Sequence, residues 1–164
     1  MLFRSAVHRP WVQAFVGLGA NLGDAQASIQ HALAGLQAVA DTELIRASGL
    51  YRSPPWEADG PDYTNAVALL GTRLTAPDLL DALQALEQRA GRERPYPNAP
   101  RTLDLDLLLY GSASVQSARL TVPHPRLWQR AFVLVPLAEL APERVPAEAL
   151  KAVAGQVVRR IFSL

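Results

Sequence analysis

The chain has 164 residues, no Cys, and 16 basic side chains, of which 15 are Arg and only Lys151 is Lys. That length suits one domain burying about 70% of the surface its unfolded chain exposes, and the lack of thiols excludes disulfides, thiolate-bound metals and a Cys nucleophile. A formal net charge of +1, with 19% charged residues, gives no global attraction to nucleic acid or an anionic membrane, so any anion site must be local.

Residues 1–10, MLFRSAVHRP, carry positive charge without the apolar run of a signal peptide, and no stretch approaches the ~20 apolar residues of a membrane-spanning helix. They read as the frayed start of a soluble, cytoplasmic protein whose single domain covers 11–164. WVQAFVGLG (11–19) predicts a strand ending in a tight turn at Gly17, Gly19, Asn21 and Gly23, with Asp24 as N-cap of a helix. Ile29, Ala32, Leu33, Leu36 and Val39 then recur every three or four residues, the apolar stripe of a helix lying on a sheet. A second strand is expected over 43–51 and a third over 63–72. Between them RSPPWEADGPD (52–62), with three Pro and a Gly, must be a loop.

Thr75 and Asp78 form a capping-box-like pair ahead of the stripe Leu79, Leu83, Leu86 and Ala90, and Gly91 is expected to end that helix in a left-handed cap. RERPYPNAP (92–100) is a second Pro-rich loop. LDLDLLLY (103–110) alternates apolar and acidic residues before turning wholly apolar, as a strand with one wet end would. The order β-α-β-β-α-β predicts an α+β, ferredoxin-like core, an antiparallel sheet with helices on one face. Residues 111–164 add a hairpin and helices.

Asp104 and Asp106 stand two apart in the last of these strands, so both carboxylates project from one face, about 6.6–6.8 Å apart along the chain. Such a pair suits Mg²⁺ sharing its shell with water and substrate phosphates; a solvated strand face gives the same pattern. The neighbours favour the metal. Arg89, Arg92, Arg94 and Arg101 against the single acid Glu93 give a local charge of +3 just before the Asp pair, and Arg forks bind phosphate oxygens bidentately. Gly91, Pro95, Pro97 and Pro100 would make that loop a stiff, hinged lid. With Lys151 the sole Lys, in an alanine-rich stretch, neither a P-loop nor a protein-kinase site is available. His8 lies in the frayed start and His31 on a helix surface. His124, held between Pro123 and Pro125 with Arg119, Arg126 and Arg130 nearby, could bond phosphate or be a turn residue. Trp56, Tyr63 and Phe132 could sandwich a flat heterocycle or belong to the core.

Taken together, FVGLGANLGD (15–24), LYRSPPW (50–56), PDYTNAV (61–67), PRTLDLDLLLYG (100–111) and LTVPHPRLWQRAFVLVPLAELAP (120–142) resemble the 6-hydroxymethyl-7,8-dihydropterin pyrophosphokinase family of folate biosynthesis. The resemblance implies diphosphate transfer from ATP to a pterin alcohol, giving AMP, by a monomer acting on small molecules. It implies two Mg²⁺ on Asp104 and Asp106, with Arg92 and Arg101 steadying the transferred group. Gln84, Glu87, Arg94, Leu107, Arg119, Thr121, His124 and Arg130 would fall at the nucleotide. Ser53, Pro54, Trp56, Tyr63, Asn65 and Phe132 would form the pterin pocket, Tyr63 and Phe132 stacking on the two ring faces and the Asn65 amide reading the ring edge. Two departures bear on loop closure and one nucleotide contact: the family often has Trp where this chain has Asn98 or Ala99, and Tyr where it has Pro125. A non-catalytic ferredoxin-like module using its Arg loop for anions is one rival, separable by Mg²⁺ dependence. A phosphotransferase acting on another planar alcohol is a second.

Overall fold

A computed structural model of the chain describes residues 9–55, 60–92 and 103–161, Arg92 by its backbone alone. The expectations for Trp56, Arg94, Arg101 and a lid over 92–100 therefore lie outside the described residues. Strand β1 (Val12–Ala20) leads through a turn with Gly23 at φ +61° into helix α1 (Ala25–Gln37), where the Asp24 carboxylate accepts from Ala27 N at 3.0 Å. Gly17 and Gly19 lie inside β1, paired on both sides, so the tight turn expected there begins only after Ala20. The stretch expected as one strand divides into β2 (Thr42–Ala47) and β3 (Leu50–Ser53), both antiparallel to β4 (Tyr63–Thr72). At the break, Ser48 N donates to Val67 O and Ser48 Oγ accepts from Val67 N, both at 2.9 Å, so a side chain stands in for the ladder while Gly49 turns away.

Helix α2 (Ala76–Arg92) starts where Thr75 Oγ1 accepts from Asp78 N at 3.2 Å. It runs through Gly91, which is not among the described residues with positive φ. The left-handed cap expected at Gly91 is thus absent: glycine weakens a helix by about 1 kcal/mol relative to Ala but does not compel it to stop. Strand β5 (Asp104–Tyr110) follows, then the hairpin β6 (Val115–Gln116) and β7 (Thr121–Val122), helices α3 (Ala131–Leu140) and α4 (Ala147–Ala152), and strand β8 (Arg159–Ile161).

The antiparallel sheet runs β5-β1-β4-β3-β8, with β2 beside β3 on the same edge of β4, which is the ferredoxin-like order. Its residues alternate between two faces except at one bulge. On one, Ile29, Leu36, Leu79 and Leu83 of the two long helices cover Ala14, Val16, Leu18, Ala68 and Leu70. On the other, Leu134 and Leu137 of α3, with Val153 beyond α4, cover Phe15, Val67, Leu69 and Leu108. Helices therefore occupy both faces, and the residues after 111 supply the second layer and an edge strand. That double cover is why β4 and the end of β5 are buried at nearly every position. A bulge opposite Phe15/Val16 also puts Leu108 and Leu109 on the same side.

Candidate active site

Helix α3 covers only part of the second face, and the uncovered end of the sheet holds a cleft of about 450 Å³. Its floor is Gly17 and Gly19. By strand register Gly17 faces Asp106 on one side and Val67 on the other, and Gly19 lies between Asp104 and Asn65. A methyl group on Gly19 would stand 3.5 Å from Asn65 Oδ1 and 3.8 Å from Tyr63 Cδ2, inside the space a flat ligand would use. The glycines thus keep the strand bare between two unlike walls.

One wall is anionic. Asp104 and Asp106 face the cleft from β5 while Leu103, Leu105 and Leu107 are buried on the opposite side, the alternation the sequence predicts. The other wall comes from β3, β4 and the first turn of α3, and presents Ser53, Pro54, Tyr63, Asn65 and Phe132. Asn65 and Ser53 are buried, and Asn65 Nδ2 donates to Ser53 Oγ at 2.8 Å, which fixes the amide so that Oδ1 lies toward Gly19. A buried, pinned amide beside two aromatic rings can read the donor and acceptor edge of a planar heterocycle.

Two cations complete the rim, Arg126 and Arg130. Arg130 Nε is buried with no hydrogen-bond partner among the described residues, and its guanidinium lies 5.6 Å from the centre of the Phe132 ring. A buried, unpaired guanidinium N–H at a cleft is a donor awaiting an acceptor on a ligand. His124 stands beside the anionic wall, Nε2 at 4.0 Å from Asp106 Oδ1. Its Nδ1 accepts from Arg126 N at 3.2 Å, so Nε2 carries the proton of the neutral ring and points toward Asp106. Burial, the largest influence, holds its pKa below the usual histidine value; the Asp106 charge opposes this, and Arg130 and Arg126 reinforce it.

The remaining nucleotide-side residues among those described do not line this cleft. Glu87 Oε2 accepts from Leu105 N at 2.7 Å, bracing β5 from behind, and Leu107 is buried under the two long helices. Gln84 is exposed on α2, Arg119 pairs with Asp81 on the surface, and Thr121 pairs with Gln116 in the hairpin. Arg92 is the last residue of α2. Sequence reasoning missed Gly17, Gly19 and Arg126. The glycine pair carries the same spacing of two as the Asp pair, and that signal could have placed both on one face.

Among the described residues no three His, Asp or Glu side chains gather as a metal cage. Two carboxylates on one wall nevertheless fit Mg²⁺, a hard ion that keeps waters and takes substrate phosphate oxygens to complete its octahedron. An anionic wall, an Arg donor without a partner among the described residues and an aromatic pocket suit a cleft that takes a phosphorylated ligand beside a planar one.

The 7,8-dihydro-6-hydroxymethylpterin-pyrophosphokinase (HPPK) family model matches residues 15–142. The 2-amino-4-hydroxy-6-hydroxymethyldihydropteridine pyrophosphokinase of Synechocystis is 48% identical over 132 residues, spanning 80% of this chain and 68% of that protein. The enzyme of the same name from Pseudomonas aeruginosa is 48% identical over 136 residues, spanning 82% and 84%. In fold, the chain resembles the crystal structure of Plasmodium falciparum HPPK-DHPS with pterin and p-hydroxybenzoate, at TM-score 0.65 and 12% identity; the match spans 83% of this chain but only 40% of that longer one. The chain belongs to the HPPK family of folate biosynthesis, whose members are diphosphotransferases.

Proposed function

We propose that this chain transfers diphosphate from ATP to the hydroxymethyl oxygen of 6-hydroxymethyl-7,8-dihydropterin, releasing AMP, as a cytoplasmic monomer. The observation that carries the reading is the bare glycine floor separating the Asp104/Asp106 wall from the Asn65/Tyr63 wall, which lets a polyphosphate and a flat ring meet in one cleft. Asp104 and Asp106 would hold two Mg²⁺, which when bound would neutralise phosphate charge and so ease displacement at phosphorus. The pterin oxygen attacks the β-phosphorus, the bond from that phosphorus to the AMP oxygen breaks, AMP keeps the electron pair, and the hydroxyl proton passes to water.

The chain's own side chains orient these groups and shift charge. Tyr63 and Phe132 stack the pterin between them, Asn65 reads its edge, and Ser53, Pro54 and Trp56 close the pocket. Arg92 and Arg101 steady the transferred group. Arg94 and Arg130 serve the nucleotide and Arg126 joins them from the rim, while Gln84, Glu87, Leu107, Arg119 and Thr121, which lie outside the cleft, are left to whatever part of the nucleotide extends beyond it. His124 enters as a hydrogen-bond donor through Nε2–H, because its only acceptor nitrogen is already taken by Arg126 N. In this reading it holds a phosphate oxygen and does not take the hydroxyl proton.

Incubating the protein with ATP, Mg²⁺ and the hydroxymethyl dihydropterin should yield pterin diphosphate and AMP in equal amounts by mass spectrometry, and no turnover without Mg²⁺. Pterin monophosphate with ADP would overturn the reaction type. Binding of both ligands without turnover would favour a non-catalytic module.

A further inference from the structure

Helix α3 begins at Ala131, directly after Arg130, and both Arg130 and Phe132 line the cleft. A helix start leaves N–H groups in need of acceptors, and the N-cap side chain usually supplies one. Here the N-cap is Arg130, extended at φ −126° and ψ 109°, and its side chain makes no capping hydrogen bond. It could not, since a guanidinium has no acceptor. The acceptor comes instead from a residue 25 positions along the chain: Gln156 Oε1 accepts from Ala131 N at 2.8 Å. The other end of the same amide, Gln156 Nε2, donates to Gln129 O at 2.9 Å.

The two bonds grip the backbone on either side of Arg130. Gln156 is itself anchored, because its backbone N donates to Val153 O at 3.0 Å and Val153 is buried in the core beneath α3. The Arg130 side chain takes no part in the cap, and its buried Nε has no partner among the described residues. The directions in which Arg130 and Phe132 leave the backbone are thus set by residues 129–131, and those are held by Gln156. It lies beyond the 15–142 stretch that the family model matches.

We propose that Gln156 is a positioning residue for the cleft: its amide caps α3 in place of the N-cap, freeing Arg130 to serve a ligand and aiming Phe132 at the ring pocket. The proposal rests on the reading of the cleft given above for its kinetic consequences, but its structural half stands without substrate. Gln156→Met keeps the length of the side chain and loses both hydrogen bonds; Gln156→Glu keeps the acceptor for Ala131 N and loses the donor to Gln129 O. Hydrogen exchange followed by mass spectrometry on the ligand-free protein should show the amides of 131–133 exchanging about fivefold faster in Gln156→Met, with peptides from β1 and β4 unchanged. In steady-state assays at a temperature where the variant is folded, KM for both substrates should rise about fivefold, with Gln156→Glu lying between wild type and Gln156→Met.

A lower melting temperature with unchanged KM would make Gln156 merely structural and overturn the proposal, as would wild-type exchange at 131–133. If Gln156→Met does not fold, Gln156→Glu decides, with wild-type KM overturning the proposal. A wild-type protein that never turns over the pterin would sink the activity reading alone, and the exchange measurement would still judge the brace.

Discussion

Asp106 stands half-exposed in β5, with Leu105 and Leu107 buried behind it and His124 Nε2 at 4.0 Å. Asp106→Asn keeps the shape and removes the charge that a metal needs, so circular dichroism and the melting curve should be unchanged, within about 0.5 kcal/mol for a surface position. AMP release should fall on the order of a thousandfold, about 4 kcal/mol of transition-state stabilisation; near-wild-type release by a folded variant would contradict the metal assignment. Arg92→Ala should slow the chemical step more than it weakens ATP binding, which single-turnover kinetics beside a calorimetric Kd will separate; a loss confined to Kd would remove Arg92 from the transferred group. The Asp pair was legible because a spacing of two, with Leu between, has one reading in a strand. The glycine pair has the same spacing, but glycine between a strand and a helix cap also reads as a turn, and pairing on both sides of β1 decides for a floor. No local pattern marks Gln156, because the amide it caps lies 25 residues earlier.

Between elements, the break at Ser48–Gly49 depends on α3. Glu139 accepts from Gly49 N at 3.2 and 3.1 Å and from Tyr51 Oη at 2.5 Å, and Arg160 of β8 lies 3.6 Å from it. Glu139→Ala leaves the Gly49 N–H and the Tyr51 hydroxyl without acceptors and should destabilise the fold by about 1–3 kcal/mol in denaturant titrations. Burial first, then the hydrogen bond and charge of Glu139, push the Tyr51 phenol from 10.0 up to about 12, with Arg160 opposing. A pKa raised on folding favours the neutral phenol, so its contribution to stability is intact below pH 10 and is lost as pH rises through about 12. The stability gap between wild type and Tyr51→Phe should therefore narrow from pH 10 to 12, and a gap that stays constant would contradict this wiring. The sequence located the helices and the wet strand through their periods. A strand over 43–51 was the natural reading because hydropathy does not reveal that Ser48 Oγ replaces a ladder bond or that a distant carboxylate caps Gly49.

Across the whole molecule, the sheet has two apolar faces with separate covers, the long helices α1 and α2 on one and the chain after residue 111 on the other. The cleft opens on the second face, with Arg126, Arg130, Phe132 and Val133 among its lining, so the site depends on a layer that a β-α-β-β-α-β reading treats as an addition. Because β1, β4 and β5 contribute alternate residues to both cores, neither cover can leave without exposing side chains that the same strands hold in register. One cooperative domain over 11–164 is the expected consequence. Leu83 and Leu134 are each fully buried, on opposite faces, and Leu→Ala at either should cost about 2–5 kcal/mol. Both variants should shift a single unfolding transition that far-ultraviolet dichroism and tryptophan fluorescence report at the same midpoint. If Leu134→Ala instead splits the transition, leaving a folded core after α3 has melted, the second layer is a separate unit and the cleft would be lost before the fold.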